Sequence, residues 1–199
     1  MTRICQLAIA CAIVALVAGG CVPAAAAVVG TDLGGVAAPD FTLVDGLTGR
    51  AVMLSGLHGD VVVLAFLYMR CLDVCPLTAE RFRTAQQSLG AEASRVTFVA
   101  VSVDPEYDTP VATQQFSAAH GLSEHWYYLV GPRPALQAVW NAYGVAAYGV
   151  GLGSGASAVN HTDAIYVIDA QGKERVLMNS TQVPDEMVRN VRAVLGSDK

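Results

Sequence analysis

Val61-Val62-Val63-Leu64-Ala65-Phe66-Leu67-Tyr68, followed shortly by Cys71-Leu72-Asp73-Val74-Cys75-Pro76, is the stretch that decides how this chain folds. The first run carries no charge and is β-branched at its start, as a strand covered on both faces should be. Pro76 suits the first turn of a helix, where its missing N–H is no loss. Leu77, Phe82, Ala85 and Leu89 can share the apolar side of that helix, and Gly90 is a fitting stop. Two sulfurs therefore stand where a buried strand ends and a helix begins. Unpaired backbone N–H groups and the helix dipole favour thiolates at such a junction, and thiolates bind soft metals or exchange disulfides.

Working outward from this junction, strands and helices alternate. Residues 40–44 and 51–54 flank Asp45-Gly46-Leu47-Thr48-Gly49, which reads as an N-terminal β-hairpin. Val96 to Val103 reads as a second buried strand. Thr109 is a good N-cap, with Pro110 at the first helical position, for a helix running to His120 and closed by Gly121. A short strand over 126–130 and a helix over 134–143 follow. Residues 144–155 carry five glycines and no charge, which reads as a loop. Strands over 164–168 and 175–178 are joined by the turn Asp169-Ala170-Gln171-Gly172-Lys173, and a last helix spans 182–195. The expected architecture is α/β: a central sheet with helices on both faces and the N-terminal hairpin as an extension. A dithiol at the end of the first parallel strand, opening the first helix, points to a thioredoxin-like arrangement.

The first 27 residues stand apart. A short positive start, Met1-Thr2-Arg3, precedes a run from Ile4 to Ala18 that is apolar apart from Gln6, then small residues and an alanine run at 24–27. This is the pattern of an export signal. Three outcomes compete: cleavage before Cys21 to leave a lipidated cysteine, cleavage within the alanine run to release a soluble protein, or retention as an anchor. Residues 28–38, rich in Gly and Ala, read as a linker, and residues 39–199 as the folded domain. The chain of 199 residues is 53% hydrophobic and 15% charged, with a formal charge of -5. That is ample material for a core and the wrong balance for a nucleic-acid surface.

Export changes the meaning of the cysteines. Cys5 and Cys11 fall in the leader and Cys21 at its edge, which leaves Cys71 and Cys75 in the folded body. A disulfide closing so small a loop stabilises little, so a purely structural role is a weak account. Positions four apart in a helical turn hold Cβ atoms about 5–6 Å apart, whereas disulfides want about 3.5–4.5 Å. The spacing suits two thiolates flanking a metal better than the tighter Cys-x-x-Cys of redox dithiols. Two sulfurs with an imidazole favour copper. Of the four histidines, His58 lies in a turn, His120 ends a helix and His125 precedes a strand, and each has a plain surface or capping role. His161 follows the glycine-rich stretch and, in this arrangement, the loop ahead of it lies over the dithiol.

Three ordered motifs carry a family resemblance. Cys71-x-x-x-Cys75-Pro76, Val101-Ser102-Val103-Asp104-Pro105-Glu106-x-Asp108-Thr109-Pro110, and Asn160-His161-Thr162 before Ile165-Tyr166-Val167-Ile168-Asp169-x-x-Gly172 resemble the SCO/SenC family. Its members are exported, membrane-tethered, thioredoxin-like proteins that deliver copper to cytochrome c oxidase. The resemblance implies Cys71, Cys75 and His161 as ligands for Cu(I) or Cu(II). It implies a dithiol that must be reduced to load metal, and the copper-site subunit of the oxidase as partner. An upstream copper donor, a thiol reductant and a lipid or N-terminal anchor at the outer face of the cytoplasmic membrane complete the expectation. The alternative, on the same two cysteines, is a thiol–disulfide oxidoreductase that reduces cysteines of the target site. A peroxidase reading lacks its threonine, and a closed zinc site lacks a fourth ligand.

The chain also departs from the family pattern. Met69 replaces a usual threonine, and Leu72 a usual proline that would stiffen the loop. Met69 is read as a core residue, with its thioether a lesser candidate for soft copper. Asn160 stands where an acidic residue is expected, leaving Asp73 and Asp163 as candidates to orient the imidazole.

Overall fold

Every residue from Val61 to Leu67 is buried, and this strand runs through the middle of the molecule. The computed structural model describes residues 28–151 and 157–197, so the expected leader lies outside the described residues. Among the described residues the elements are β1 Thr31–Ala37, β2 Thr42–Asp45, β3 Ala51–Met53, β4 Val61–Leu67, α1 Val74–Leu89, β5 Val96–Ser102, α2 Pro110–Ala119, β6 Trp126–Val130, α3 Arg133–Ala142, β7 Ala147–Gly151, β8 Ser157–His161, β9 Ile165–Ile168, β10 Lys173–Met178 and α4 Pro184–Ser197. The large sheet has the order β1-β10-β9-β4-β5-β6-β2-β3. β4, β5 and β6 are parallel to one another, and β9 joins β4 antiparallel. The β2–β3 hairpin extends the sheet beyond β6, as its turn residues suggest.

Register shows how the helices divide. Val63 pairs with Phe98 and Phe66 with Val101, and successive side chains of a strand point to opposite faces. Phe98 meets Phe82 of α1 at 5.1 Å between ring centroids, whereas Phe66 meets Tyr143, just past α3, at 5.8 Å. α1 and α3 therefore cover opposite faces, and α4 packs beside α1. The layers are those of a thioredoxin-like fold. α2 begins as its sequence dictates: Thr109 caps it by accepting the Ala112 N–H at 3.2 Å, and Pro110 follows.

Two segments differ from the sequence expectation. Residues 31–37, expected within a linker, form the edge strand β1, paired with β10 from Thr31↔Leu177 to Ala37↔Lys173. Pairing at an edge is made by the backbone and leaves side chains exposed, so no apolar alternation marks it. Gly34 and Gly35, both at positive φ, sit in the bulge that interrupts it. Asn190 of α4, fully buried, fastens the strand's approach by donating to the Val29 carbonyl and accepting the Val29 N–H, each at 2.7 Å. The second difference lies in residues 144–155, expected as a loop. Ala147–Gly151 pairs antiparallel with Ser157–His161, in register from Ala147↔His161 to Gly151↔Ser157. Gly149 and Gly151 hid the first arm, because glycine has no side chain to display a period.

Candidate metal centre

β4 ends at Leu67 and α1 begins at Val74, which puts Pro76 in the first turn of the helix, as expected. The turn between them is held from below. Asp108 accepts the Met69 N–H at 3.0 Å, and Arg70 donates through Nε and Nη2 to Asp104 at 3.0 and 2.8 Å. The Arg70 guanidinium also lies 3.4 Å from the centroid of the Tyr107 ring. Asp104 and Asp108 are both buried, and Ser102 Oγ links them, donating to Asp108 and accepting the Asp104 N–H. Burial pushes the Asp108 carboxyl up to about 6, against the lowering effect of its Ser102 and Met69 hydrogen bonds. The sequence showed these two acids as motif members, but their work under the turn appears only once β5 lies beside β4.

The two cysteines are both free thiols with different environments. Cys75, in the first turn of α1, is fully buried, and Cys71 is partly exposed. Cys71 Sγ accepts the Cys75 N–H at 3.3 Å. The Cys75 thiol donates to it as well, and with backbone N–H groups of Asp73, Val74 and Cys75 this holds the Cys71 thiol down to about 5. Cys75 is pushed upward by that same hydrogen bond and by burial. At neutral pH the pair is one partly exposed thiolate backed by one buried thiol. Leu72 between them is 97% exposed, so the position usually held by proline packs against nothing.

His161 ends β8, and its Nδ1 lies 3.0 Å from the Thr162 carbonyl oxygen. A carbonyl only accepts, so Nδ1 carries a proton, and in the neutral ring Nε2 keeps the lone pair a metal would use. This replaces the support expected from acids. Asp163 instead accepts from Ser180 N–H and Oγ, Asp73 makes no side-chain cap bond, and Asn160 donates to the Tyr148 hydroxyl. The imidazole meets the Tyr68 ring edge-on, centroids 5.7 Å apart. Among the described residues no three His, Cys, Asp or Glu side chains converge tightly enough to hold an ion. Cys71 and Cys75 meet directly, and His161 packs on Tyr68, three residues before Cys71. Tyr68 is a neighbour that sequence reasoning missed, since it reads there as the last residue of a buried strand. Met69 packs against the core, and the other histidines lie elsewhere: His120 on Glu80, and His58 against Gly172.

The SCO1/SenC family model matches residues 31–196. The chain belongs to the SCO1/SenC family. Three solved structures illustrate the likeness. The Thermus thermophilus Sco1 apo protein is 30% identical with a TM-score of 0.74, covering 85% of this chain and 98% of that one. Bradyrhizobium japonicum ScoI, solved with copper bound, is 28% identical with a TM-score of 0.71, covering 80% and 99%. BsSco, described as a member of the Sco family of cytochrome c oxidase assembly proteins and as having a disulfide switch, is 25% identical with a TM-score of 0.66, covering 84% and 98%. The Bacillus subtilis SCO1 protein homolog is 34% identical over 84 residues, a match that spans under half of either chain, 42% of this one and 44% of that one.

Proposed function

We propose that this chain is a copper-binding metallochaperone that carries copper, as Cu(I) or Cu(II), to the copper-site subunit of cytochrome c oxidase. The observation that carries this reading is the sulfur pair at the start of α1, where the Cys71 sulfur accepts the Cys75 N–H and its thiol is held down to about 5. Soft thiolates joined by an imidazole form a donor set suited to copper. His161, two residues past Val159 on the hairpin beside Tyr68, supplies the third ligand through Nε2. Copper bound to ScoI and the assembly role given for BsSco support the same reading. Leu72 and Val74, which lie between the two cysteines in the chain, are exposed, as suits a site that a partner surface must cover while ligands exchange. Export and a membrane tether belong to the proposal. Among the described residues no helix is long and apolar enough to cross a membrane.

The test is copper titration of the reduced protein beside Cys71→Ala, Cys75→Ala and His161→Ala. The expected result is one copper per chain, a copper–thiolate absorption lost in either cysteine variant, and weaker binding with an altered spectrum in His161→Ala. An unchanged spectrum and affinity in His161→Ala overturns the ligand set.

The contrast between Cys71 and Cys75 favours a second reading, a thiol–disulfide oxidoreductase. The Cys71 thiolate would attack a target disulfide and release one target thiolate. Cys75 would then close on Cys71 and release the second, passing two electrons to the target, and an external thiol reductant would restore the pair. A reduced protein that leaves an oxidised peptide of the oxidase copper site unchanged removes this reading.

A further inference from the structure

Tyr68 is the residue through which the two halves of the candidate site meet. It is 7% exposed. Its ring stands perpendicular to the His161 imidazole, 5.7 Å away at an interplanar angle of 89°. Its hydroxyl faces Cys71 and the Val159 N–H of β8, near enough to interact with both. Its own carbonyl accepts the Cys71 N–H at 3.3 Å. One side chain thus packs on the imidazole and lies beside both the Cys71 sulfur and the strand that carries the imidazole. The β7–β8 hairpin is a separate two-stranded sheet. Among the described residues it has no ladder to the main sheet that would hold His161 at a set distance from the sulfurs, so the contact with Tyr68 takes over that task. Edge-to-face packing restricts the ring plane of His161, and the Thr162 carbonyl restricts which nitrogen faces outward.

We infer that Tyr68 is a positioning residue for metal capture: its ring seats the His161 imidazole, and its hydroxyl ties strand β8 to Cys71. The inference rests on the copper-binding reading above and deepens it. Two substitutions separate the two parts of the side chain. Tyr68→Phe keeps the ring and removes the hydroxyl that faces Val159 and Cys71. Tyr68→Leu removes the aromatic seat as well.

The experiment is copper titration of the reduced protein with absorption and electron paramagnetic resonance spectra of the Cu(II) form, on wild type, Tyr68→Phe, Tyr68→Leu and His161→Ala. Tyr68→Phe is expected to keep the nitrogen hyperfine signature and to bind copper about tenfold more weakly, the scale of one hydrogen bond. Tyr68→Leu is expected to lose the nitrogen signature and to match His161→Ala. A role in folding alone would lower the unfolding midpoint and leave that signature in place. Wild-type spectra and affinity in both Tyr68 variants, with His161→Ala altered, overturn the inference and leave the copper reading standing. Absence of copper binding by the wild type overturns both. Should Tyr68→Leu fail to fold, Tyr68→Phe decides: wild-type affinity in that variant overturns the inference.

Discussion

The Cys75 N–H donates to the Cys71 sulfur at 3.3 Å, so Cys71 does for α1 what an N-cap side chain does elsewhere. Asp73 occupies the N-cap position and makes no such bond with its side chain. The sulfur thereby gains the partial positive charge of the helix start, and the helix gains an acceptor for an orphan donor. Reactivity of the first cysteine and stability of the first turn are thus coupled.

That coupling sets the pH dependence of alkylation. With its thiol held down to about 5, Cys71 is a thiolate from pH 6.5 upward. Iodoacetamide should modify it in the reduced native protein at a rate nearly flat between about pH 6.5 and 8, falling as pH drops toward 5. Buried Cys75 should stay unmodified until the protein unfolds. Peptide mapping by mass spectrometry reads both, and a rate that climbs tenfold per pH unit through neutrality contradicts the assignment.

Asp108 predicts an opposite pH trend in stability. Its carboxyl is raised in the folded state from 3.8 to about 6, first by burial. A raised folded value makes its contribution full below about pH 4 and lost as pH rises through about 6. The shift corresponds to a loss on the order of 3 kcal/mol. Urea unfolding of wild type and Asp108→Asn between pH 4 and 7 should show wild type losing ground to the variant across that window. A difference that does not change with pH contradicts the prediction.

Arg70 holds the Cys71 turn to Asp104, whose side chain is only 4% exposed. Removing the guanidinium strands a buried carboxylate, but Arg70 itself is partly exposed, so Arg70→Ala should cost about 1–3 kcal/mol rather than the full value for a buried pair. Arg70→Lys should restore only part of this, because an ammonium cannot reproduce two donors on one carboxylate and a stack on Tyr107. Chemical denaturation measures all three proteins. Equal stability across them would remove the clamp.

Asn190 grips Val29 from both sides of one amide. Asn190→Ala should cost about 1–3 kcal/mol, since two backbone groups lose a partner. Hydrogen exchange should show faster opening of β1 while β4 and β5 stay protected. Uniform loss of protection across the sheet would instead mean that Asn190 supports the whole core.

How much was legible in the sequence follows from what each segment displays. Val61–Leu67 and Val96–Ser102 are buried throughout, and continuous apolar runs announce that state. Thr109-Pro110 announced α2 because capping is a local hydrogen bond made within four residues. β1 and the β7–β8 arms were not legible. Their pairing is made by backbone groups, and Gly34, Gly35 and Gly149 offer no side chain to report it.

The sequence by itself determined the α/β class and the place of Cys71 and Cys75 at a strand–helix junction. Its ordered motifs singled out His161. Burial period, capping chemistry and the four-residue spacing of the sulfurs are local properties, and these the chain carries openly. Only the tertiary structure decided which sulfur is the thiolate, since that depends on the N–H groups and burial around each. It also decided that Tyr68 lies between the thiolate and His161, because that contact joins residues 93 positions apart (68 to 161). Side chains so distant in sequence meet through packing, and neither residue's neighbours in the chain report on the other.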